Sequence, residues 1–569
     1  MFRLATRAYL ASLLIIFWSP AAWADIPPTD AVASAHPLAT EAGMQILREG
    51  GNAFDAAVAV TAALAVVEPY SSGLGGGGFF LLHRARDKHE TMLDAREKAP
   101  LEATRDMYLD ERGEIIPNLS VDGALAAAIP GTPAALAHLA QHYGRLPLTK
   151  TLAPAIKLAR QGFPVDAIYR NLAEFRLDVL RRFPAAARVF LDEQGQVPAL
   201  GGTIKQPDLA ATLHVLAEQG AEGFYSGPLA ERLVQAVRAA GGMWSLDDLA
   251  NYQVMEREPV RGEYRGIKIT SAAPPSSGGV ALVTMLNILA GYDLDALPEA
   301  ARAHLIIEAM RRAYRDRAEY LGDPDYVKID VTRLTHPFYA AGLRAAIRLD
   351  RATPSSSLPD AAATPSGPHT THFSILDRQG NRVAATLTIN FPFGSGFVAP
   401  GTGVLLNDEM DDFSAKPGAP NLYGLVGGAA NAIEPGKRPL SSMTPTFLEG
   451  EHGVAILGTP GGSRIISMVL LAALDFAAGR GPDSWVSLKR FHHQFLPDVV
   501  QYEPGALSAP AVARLEALGH KLRPLDDTYG NMQAILWDRT QGTRAASDPR
   551  GIGAAHTAPL PARRLLRRK

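Results

Sequence analysis

The sequence His369-Thr370-Thr371-His372 stands where a compositionally biased segment gives way to two strand-like runs. Residues 351–368 read RATPSSSLPDAAATPSGP and have no apolar periodicity, which is typical of a linker. Residues 373–390 read FSILDRQGNRVAATLTIN, two alternating apolar runs around a turn. A threonine that starts a strand after such a linker suits a chain that cleaves itself there. Cleavage between His369 and Thr370 would give one residue both a free amine and a hydroxyl nucleophile.

The two strand-like runs predict a hairpin with a defined register. If residues 377–381 form the turn, Leu376 pairs with Arg382. The same register puts Thr370 opposite Thr388, so a second hydroxyl would lie beside the proposed nucleophile. Threonine is also common in strands for steric reasons, and the pair alone does not decide between catalysis and strand propensity.

Composition excludes several functional classes. The 569 residues are 47% hydrophobic and 20% charged, which is typical of a soluble globular protein of one large domain or two to four smaller ones. A net charge of -2 gives no global attraction to nucleic acid or to an anionic membrane. The absence of cysteine excludes thiol nucleophiles, disulfides and thiolate metal sites.

The first 24 residues predict a secretory signal peptide. Two arginines precede the apolar run 9–18, and Ala22-Trp23-Ala24 forms a small-x-small cleavage site before Asp25. An uncleaved anchor is the alternative, but a bilayer span needs about 20 apolar residues. We therefore expect a mature chain that begins at Asp25 in an exported compartment, the periplasm.

The order of the periodic segments favours a layered α/β fold. A helix that is apolar on nearly all sides is predicted over residues 56–67, and further helices over 465–478 and from Val280 onward. Residues 125–350 are mostly helical by pattern. Helices that bracket two groups of strands indicate stacked layers rather than a βαβ ladder. Neither side of the linker contains a complete set of layers, so the linker does not mark a domain boundary.

Four other segments have side chains or backbone suited to chemistry. Glycines in the loop 458–464 precede a helix and could present amides to an oxyanion, although a simple tight turn explains them equally well. The acidic segment 406–413 could hold an ammonium group; it fails the calcium-loop pattern, and alone it is more often a solvated turn. Ser441-Ser442 offers two hydroxyls, and Arg96 could bind a carboxylate with two hydrogen bonds.

Three further patterns are interpreted as structural. Residues 73–78 fit GxGxxG, but a strand follows, which excludes a dinucleotide site. The adjacent His492 and His493 would point in opposite directions on a strand and make a poor metal pair. One predicted helix contains four arginines, interpreted as a solvated face: Arg311, Arg312, Arg315 and Arg317.

Eight motifs together resemble the γ-glutamyltransferase (γ-glutamyltranspeptidase) family of N-terminal-nucleophile hydrolases. In chain order they are LDAREKAP, PPSSGG, TTHFS, LNDEMDDFS, NLYGLVGG, KRPLSSM, GTPGGSR and RFHHQ. Each motif is modest by itself, and the ordered set covers essentially the whole mature chain.

The resemblance implies a role for each matching residue. It implies that Thr370 is the nucleophile, that Thr388 is its supporting hydroxyl, and that the oxyanion is bound by the amides of Gly461 and Gly462. It implies these substrate contacts: Asn390, Glu409 and Asp412 with the α-amine, and Arg96, Ser441 and Ser442 with the α-carboxylate.

The resemblance also implies a lid over residues 417–428, with Tyr423 as its gate. Position 409 is Glu here where other members have Gln, and either side chain accepts a hydrogen bond from an ammonium. Related acylases that prefer glutaryl groups do not need Asp412, so its presence favours γ-glutamyl substrates.

The implied fold is a four-layer αββα sandwich formed by two autoprocessed subunits, 25–369 (large) and 370–569 (small, catalytic). The implied activity is attack by Thr370 on the γ-glutamyl amide of glutathione and related compounds, followed by transfer of the acyl group to water, amino acids or short peptides. No metal, organic cofactor or nucleic-acid partner is implied. The alternatives are an acylase for glutaryl or β-lactam side chains and an exported binding protein without turnover.

Overall fold

The computed structural model describes residues 26–358, 370–416, 421, 425 and 427–558. In chain order the strands of this part are β1 (Asp30–Ser34), β2 (Gly77–Arg84), β3 (His89–Ala95), β4 (Phe163–Pro164), β5 (Thr203–Ile204), β6 (Met255–Arg257), β7 (Val260–Tyr264), β8 (Ile267–Ser271), β9 (Thr371–Leu376), β10 (Arg382–Thr388), β11 (Val398–Ala399), β12 (Val404–Leu405), β13 (Thr446–Gly450), β14 (Gly453–Gly458), β15 (Phe491–His492), β16 (Val500–Tyr502), β17 (Leu522–Pro524), β18 (Gln533–Asp538), β19 (Gly542–Ser547) and β20 (Ala554–Ala558).

The helices of the same part are α1 (Pro37–Arg48), α2 (Ala53–Val67), α3 (Thr132–His142), α4 (Leu148–Thr151), α5 (Ala153–Gln161), α6 (Ala167–Phe175), α7 (Leu177–Arg182), α8 (Pro184–Phe190), α9 (Pro207–Gln219), α10 (Glu222–Tyr225), α11 (Gly227–Ala239), α12 (Leu246–Ala250), α13 (Gly278–Leu289), α14 (Glu299–Tyr320), α15 (Val331–Leu334), α16 (Pro337–Ala345), α17 (Ile465–Ala477), α18 (Pro482–Ser487) and α19 (Ala509–Ala517).

Two antiparallel sheets form the centre of the fold. The first has the strand order β20-β1-β9-β10-β2-β3-β6, and the second has the order β19-β18-β14-β13-β8-β7. Each sheet combines strands from both sides of Thr370. Because neither part of the chain can complete a sheet alone, the two parts must fold together.

The sheets face each other between two layers of helices. Strands β9 and β10 contact β14, while α1 and α2 cover the outer face of the first sheet and α13 and α17 cover the second. Side chains alternate accordingly along β2: Phe80 and Leu82 pack towards α2, and Phe79 and Leu81 pack into the core between the sheets. The predicted four-layer αββα sandwich is confirmed.

Several predicted elements are confirmed with small changes in their bounds. Helix α2 is buried along its whole length and begins with a capping box between Asn52 and Asp55. Helix α17 ends at Ala477, and the hairpin pairs Leu376 with Arg382 as predicted.

Strands β7 and β8 lie inside the region predicted to be mostly helical. They form a hairpin whose two-residue turn places both Arg265 and Gly266 at positive φ, 50° and 79°. Each strand has only five residues, and β8 is held between β7 and β13. Pairing with a strand far away in sequence therefore decides the structure here, and local periodicity does not reveal it.

The interpretation of the α14 arginines as a solvated face is wrong. Arg311, Arg312 and Arg317 are buried, and Arg315 is half-buried against Asp316. Arg311 and Arg312 pair with Glu308 on the same helix, and this charge compensation makes their burial tolerable.

No helix in the described part of the chain is long and apolar enough to span a bilayer.

Candidate active site

Thr370 lies directly before β9, at the edge of the buried strand pair. Strand β9 is paired with β1 on one side and with β10 on the other, so its first residues have little freedom. The Thr370 side chain is mostly buried, and the Gly461 amide donates a hydrogen bond to its Oγ1 at 3.2 Å. The hydroxyl is thus held against a backbone donor.

Gly461 and Gly462 follow β14 and precede α17. Their φ angles are 145° and 55°, in the left-handed region that side chains other than glycine rarely adopt. A short 3-10 turn over Gly462–Arg464 then leads into α17. The glycines let the chain reverse tightly, so that the Gly461 N–H points at Thr370 and not into the helix.

Thr388 ends β10, and the hairpin register places it opposite Thr370. The last recorded pair is Thr371 with Leu387, one step before this position. Thr388 Oγ1 accepts a hydrogen bond from the Asn390 amide at 2.7 Å, and Asn390 has a φ of 72°. Asparagine tolerates this conformation better than most residues. The turn directs the chain from β10 towards the acidic segment, where Asn390 Nδ2 donates to the carbonyl of Asp408 at 3.0 Å.

The acidic segment is a buried ionic cluster and not a solvated turn. Arg96, at the end of β3, donates to Glu409 and to Asp412, and its Nη1 lies 3.4 Å from Glu97 Oε2. Arg96, Glu97 and Glu409 are almost fully buried. Burial raises the pKa of Glu409 and that of Asp412, while the charge of Arg96 opposes the rise.

Ser441 and Ser442 lie in a loop that is held by the motif PPSSGG. Ser441 N donates to the Pro275 carbonyl at 2.8 Å, Ser277 N donates to the Ser441 carbonyl at 2.8 Å, and Ser276 Oγ donates to the Met443 carbonyl at 2.6 Å. In the sequence, PPSSGG was identified only as one of the family motifs. Its role as a brace depends on contacts with a segment more than 160 residues away.

Among the described residues that line one small cavity here, two buried side-chain polar atoms have no hydrogen-bond partner. They are Ser442 Oγ and Glu409 Oε2. Buried polar atoms in native proteins almost always have a partner. Both residues line the same small cavity, so a polar ligand there would satisfy them.

Arg317 is a cavity residue that the sequence analysis missed. It is buried, its Nε donates to Ser277 Oγ at 3.1 Å, and it lines the cavity with Ser442. Burial lowers its pKa to about 10, so it stays protonated at neutral pH. The sequence shows only that Arg317 lies on a predicted helix with both polar and apolar residues. That pattern is as typical of a surface helix as of a buried one.

Two cavities meet at Thr370. The smaller, about 30 Å³, brings together nearly all described residues predicted for the site: Arg96, Thr370, Thr388, Asn390, Glu409, Asp412, Ser441, Ser442 and Gly462. The larger, about 540 Å³, includes Thr370 and Gly461 in its wall. The nucleophile candidate therefore separates a narrow polar chamber from a wider one.

Glu68 lies in the wall of the larger cavity and was not identified from sequence. Thr371 Oγ1 donates to its Oε2 at 2.7 Å. Burial raises the pKa of Glu68 to about 7, and the hydrogen bond from Thr371 opposes the rise. The segment that carries Thr370 is thus held from the side by a carboxyl group that titrates near neutral pH.

Several predicted positions lie outside the described residues. These are His369, Tyr423, the signal peptide and most of the lid over 417–428. Among the described lid residues, Asn421 donates a hydrogen bond from Nδ2 to Asp412 Oδ1 at 3.1 Å.

One group of side chains away from Thr370 has the spacing of a metal site. Ligand atoms of His304, Glu308 and His520 lie within 4.8 Å of one another. However, His304 Nδ1 and His520 Nε2 are hydrogen-bonded to each other at 2.7 Å, and Glu308 is paired with two arginines. A cation would have to displace both arrangements, so we assign no metal to it.

The geometry of the site agrees with the sequence comparisons. The family model described as gamma-glutamyltranspeptidase matches residues 39–558. The chain belongs to the γ-glutamyltranspeptidase family. Among curated relatives, the glutathione hydrolase proenzyme of Escherichia coli (strain K12) is 44% identical over 530 residues, 92% of this chain and 90% of the relative. That of Bacillus subtilis (strain 168) is 37% identical over 552 residues, 93% and 92% of the two chains.

Solved structures of this family and of acylases share the fold. A cephalosporin acylase from Bacillus halodurans superposes with a TM-score of 0.81 at 28% identity, over 98% of this chain and 99% of that one. The γ-glutamyltranspeptidase of Helicobacter pylori gives a TM-score of 0.56 at 42% identity, over 57% of this chain and 94% of that chain. The sandwich is therefore common to enzymes that process γ-glutamyl compounds and to an acylase.

Proposed function

We propose that this chain is a self-processing γ-glutamyltransferase and glutathione hydrolase with Thr370 as its nucleophile. The observation that carries the proposal is the position of the Thr370 hydroxyl, 3.2 Å from the Gly461 amide and between two cavities. Relatives at 37–44% identity over almost the whole chain are named glutathione hydrolase proenzymes, which supports both the activity and a precursor form.

Self-processing uses the same hydroxyl as catalysis. Thr370 Oγ1 attacks the carbonyl carbon of His369, the peptide C–N bond breaks, and the hydroxyl proton passes to the Thr370 nitrogen. Water then hydrolyses the resulting ester and releases the carboxyl group of the large fragment. The new α-amine has an ordinary pKa near 8, so at neutral pH a useful fraction is unprotonated and can act as a base.

In the processed enzyme, Thr370 attacks the γ-carbonyl of the donor. The α-amine takes the hydroxyl proton and passes it to the leaving amine as the amide bond breaks. The Gly461 amide, together with that of Gly462, stabilises the negative charge on the tetrahedral oxygen. Each such donor contributes about 3 kcal/mol to the lowering of the barrier. Thr388 supports the hydroxyl of Thr370 from the neighbouring strand.

The side chains around the small cavity are chemically complementary to the amino-acid end of a γ-glutamyl group. Arg96 and Arg317 face three carboxyl groups there, those of Glu97, Glu409 and Asp412. Burial raises the pKa of all three carboxyl groups, and a substrate ammonium beside them would favour their charged forms. Asn390 adds a further polar contact for the ammonium.

The α-carboxylate of the donor would be bound at the other side of the cluster. Arg96 supplies the cation, and Ser441 and Ser442 supply hydroxyl donors. Ser442 Oγ, which has no partner among the described residues, would gain one in the complex.

We further propose that the precursor is exported and matures into a heterodimer of residues 25–369 and 370–569. The signal-peptide pattern supports export, and the mixed origin of both sheets supports a stable association of the fragments.

The processing claim is tested by N-terminal sequencing of the smaller fragment from purified protein. We expect it to begin Thr-Thr-His-Phe, and we expect Thr370→Ala to remain a single polypeptide. A Thr370→Ala chain that still divides after His369 would refute autocatalysis.

The substrate claim is tested with two donors that differ only in the α-amine, γ-glutamyl-p-nitroanilide and glutaryl-p-nitroanilide. We expect the processed enzyme to prefer the first. Equal or better turnover of the glutaryl compound would favour the acylase alternative, and binding without release of p-nitroaniline would favour a binding protein.

A further inference from the structure

The larger cavity at Thr370 is lined by an arginine that forms no ion pair with an acid of the described residues. Arg464 is 9% exposed, and its Nε and Nη2 both donate to Gln501 Oε1. Its guanidinium stacks on the Tyr529 ring at 4.6 Å. No carboxylate oxygen of the described residues lies within 4.0 Å of it. A buried cation without a counter-ion is costly, and a ligand anion would offset the cost.

The second arginine of the cavity is different. Arg550 pairs with Glu503 at 2.8 Å and with Asp548 at 3.1 Å, so its charge is already compensated. Arg464 is therefore the cation of this cavity that can accept an anionic ligand without breaking an ion pair. Burial lowers its pKa, but an arginine starts so high that it remains protonated at neutral pH.

Arg464 also lies three residues after the glycine whose amide contacts Thr370. It closes the 3-10 turn that begins at Gly461, and its N–H donates to the Gly461 carbonyl at 3.1 Å. The Gly461 amide is the one that contacts Thr370. Thr370 and Arg464 both line the larger cavity of about 540 Å³, and an extended dipeptide spans about 7 Å. A dipeptide whose amine is at Thr370 can thus place its carboxylate near Arg464.

We propose that Arg464 binds the free carboxylate of the peptide that leaves the donor and of the peptide that accepts the γ-glutamyl group. This inference rests on the proposed function and specifies its leaving-group and acceptor class: peptides and amino acids with a free C-terminal carboxylate. In hydrolysis, the γ-glutamyl C–N bond breaks and the leaving peptide takes a proton on its nitrogen. In transfer, the amine nitrogen of an acceptor attacks the carbonyl carbon of the γ-glutamyl ester on Thr370. The ester C–O bond breaks, and the proton lost by the nitrogen passes to the Thr370 oxygen, which restores the hydroxyl.

The first experiment uses the native enzyme and changes only the substrate. Glutathione and its C-terminal glycinamide form differ in the carboxylate that Arg464 is proposed to bind. We expect kcat/KM to fall by about 10- to 100-fold on amidation, the range of a charge-assisted hydrogen-bonded contact. Equal kcat/KM for the two compounds would overturn the inference without any variant.

The second experiment measures kcat/KM for glutathione and for its amide in the native enzyme and in Arg464→Gln, with only the processed fraction of each protein. We expect the preference for glutathione over its amide to disappear in this variant, and Arg464→Lys to retain part of it. Glycylglycine and glycylglycinamide as acceptors should give the same pattern in transfer. Arg523→Gln is the control, because Arg523 is exposed and adds only a nearby positive charge.

Structural damage from the substitution gives a different result. It would lower turnover of glutathione, of its amide and of γ-glutamyl-p-nitroanilide by one common factor, and that outcome would contradict the role of Arg464. Failure of the proposed function is also distinct, because the native processed protein would then release no p-nitroaniline from γ-glutamyl-p-nitroanilide at all.

Discussion

Asp412→Asn is the sharpest test of how the small cavity recognises its substrate. The Asp412 carboxylate is largely buried, is paired with Arg96, and accepts a hydrogen bond from Asn421. The substitution keeps the shape and removes the negative charge that the substrate ammonium would neutralise. Charge-assisted hydrogen bonds contribute about 1.5–3 kcal/mol, and removal of one partner from a buried pair costs about 3–5 kcal/mol.

From these ranges we expect a loss of about 2–4 kcal/mol in transition-state binding, or roughly 30- to 1,000-fold in kcat/KM for a γ-glutamyl donor. Glutaryl-p-nitroanilide lacks the ammonium, so its kcat/KM should change by less than about threefold. The assay is release of p-nitroaniline from both donors by the processed variant. Asp411→Asn is the matched control, since Asp411 accepts a hydrogen bond from Ser120 Oγ and is not among the described residues that line the small cavity. Equal losses on the two donors would refute the proposed contact between Asp412 and the ammonium.

Three further predictions address stability and the support of the site. The raised pKa of Glu68 means that the unfolded chain releases this proton near pH 4.5 and the folded chain near pH 7, so stability should fall by about 3 kcal/mol between these values. Calorimetry at pH 5 and pH 8 should show a smaller loss of stability in Glu68→Gln than in the native protein. An equal loss in the two proteins would contradict the raised pKa of Glu68. Ser276→Ala removes the brace on Met443; it should cost about 1–3 kcal/mol in urea denaturation and raise KM for γ-glutamyl-p-nitroanilide. An unchanged KM would show that the hydrogen bond from Ser276 to Met443 is not needed for substrate binding. Arg311→Met should cost about 3–5 kcal/mol, whereas Arg315→Met on the same helix should cost about 1 kcal/mol or less; equal urea midpoints would argue against the buried network.

The sequence was sufficient where the structure depends on local order. The β9–β10 hairpin follows from the alternation of apolar residues and one turn, so the sequence alone predicts its register. The same register placed Thr388 opposite Thr370. Glycines at Gly461 and Gly462 were likewise visible, because few other sequences allow two successive residues at positive φ.

The sequence was insufficient where burial depends on distant segments. The arginines of α14 have the spacing of a solvated face, and only the packing of α14 against α13 and α19 places them inside. Arg317 enters the small cavity for this reason. Glu68 was missed similarly, because its contact with Thr371 joins positions that are 303 residues apart. A charged residue is normally exposed, so sequence patterns alone assign such residues to the surface.

The placement of Thr370 suits a residue with the two proposed roles, in cleavage and in catalysis. Strand β9 is held on both sides, by β1 and β10, and the bond to be cleaved lies just outside it. The proposed cleavage would therefore change the chain only on the linker side of Thr370 and would leave the strand, its hairpin partner and the contact with Gly461 in place. Because both sheets contain strands from the two fragments, separation would expose the core between the sheets. The fragments should thus stay associated after cleavage, and the new amine should appear in a site that is already assembled.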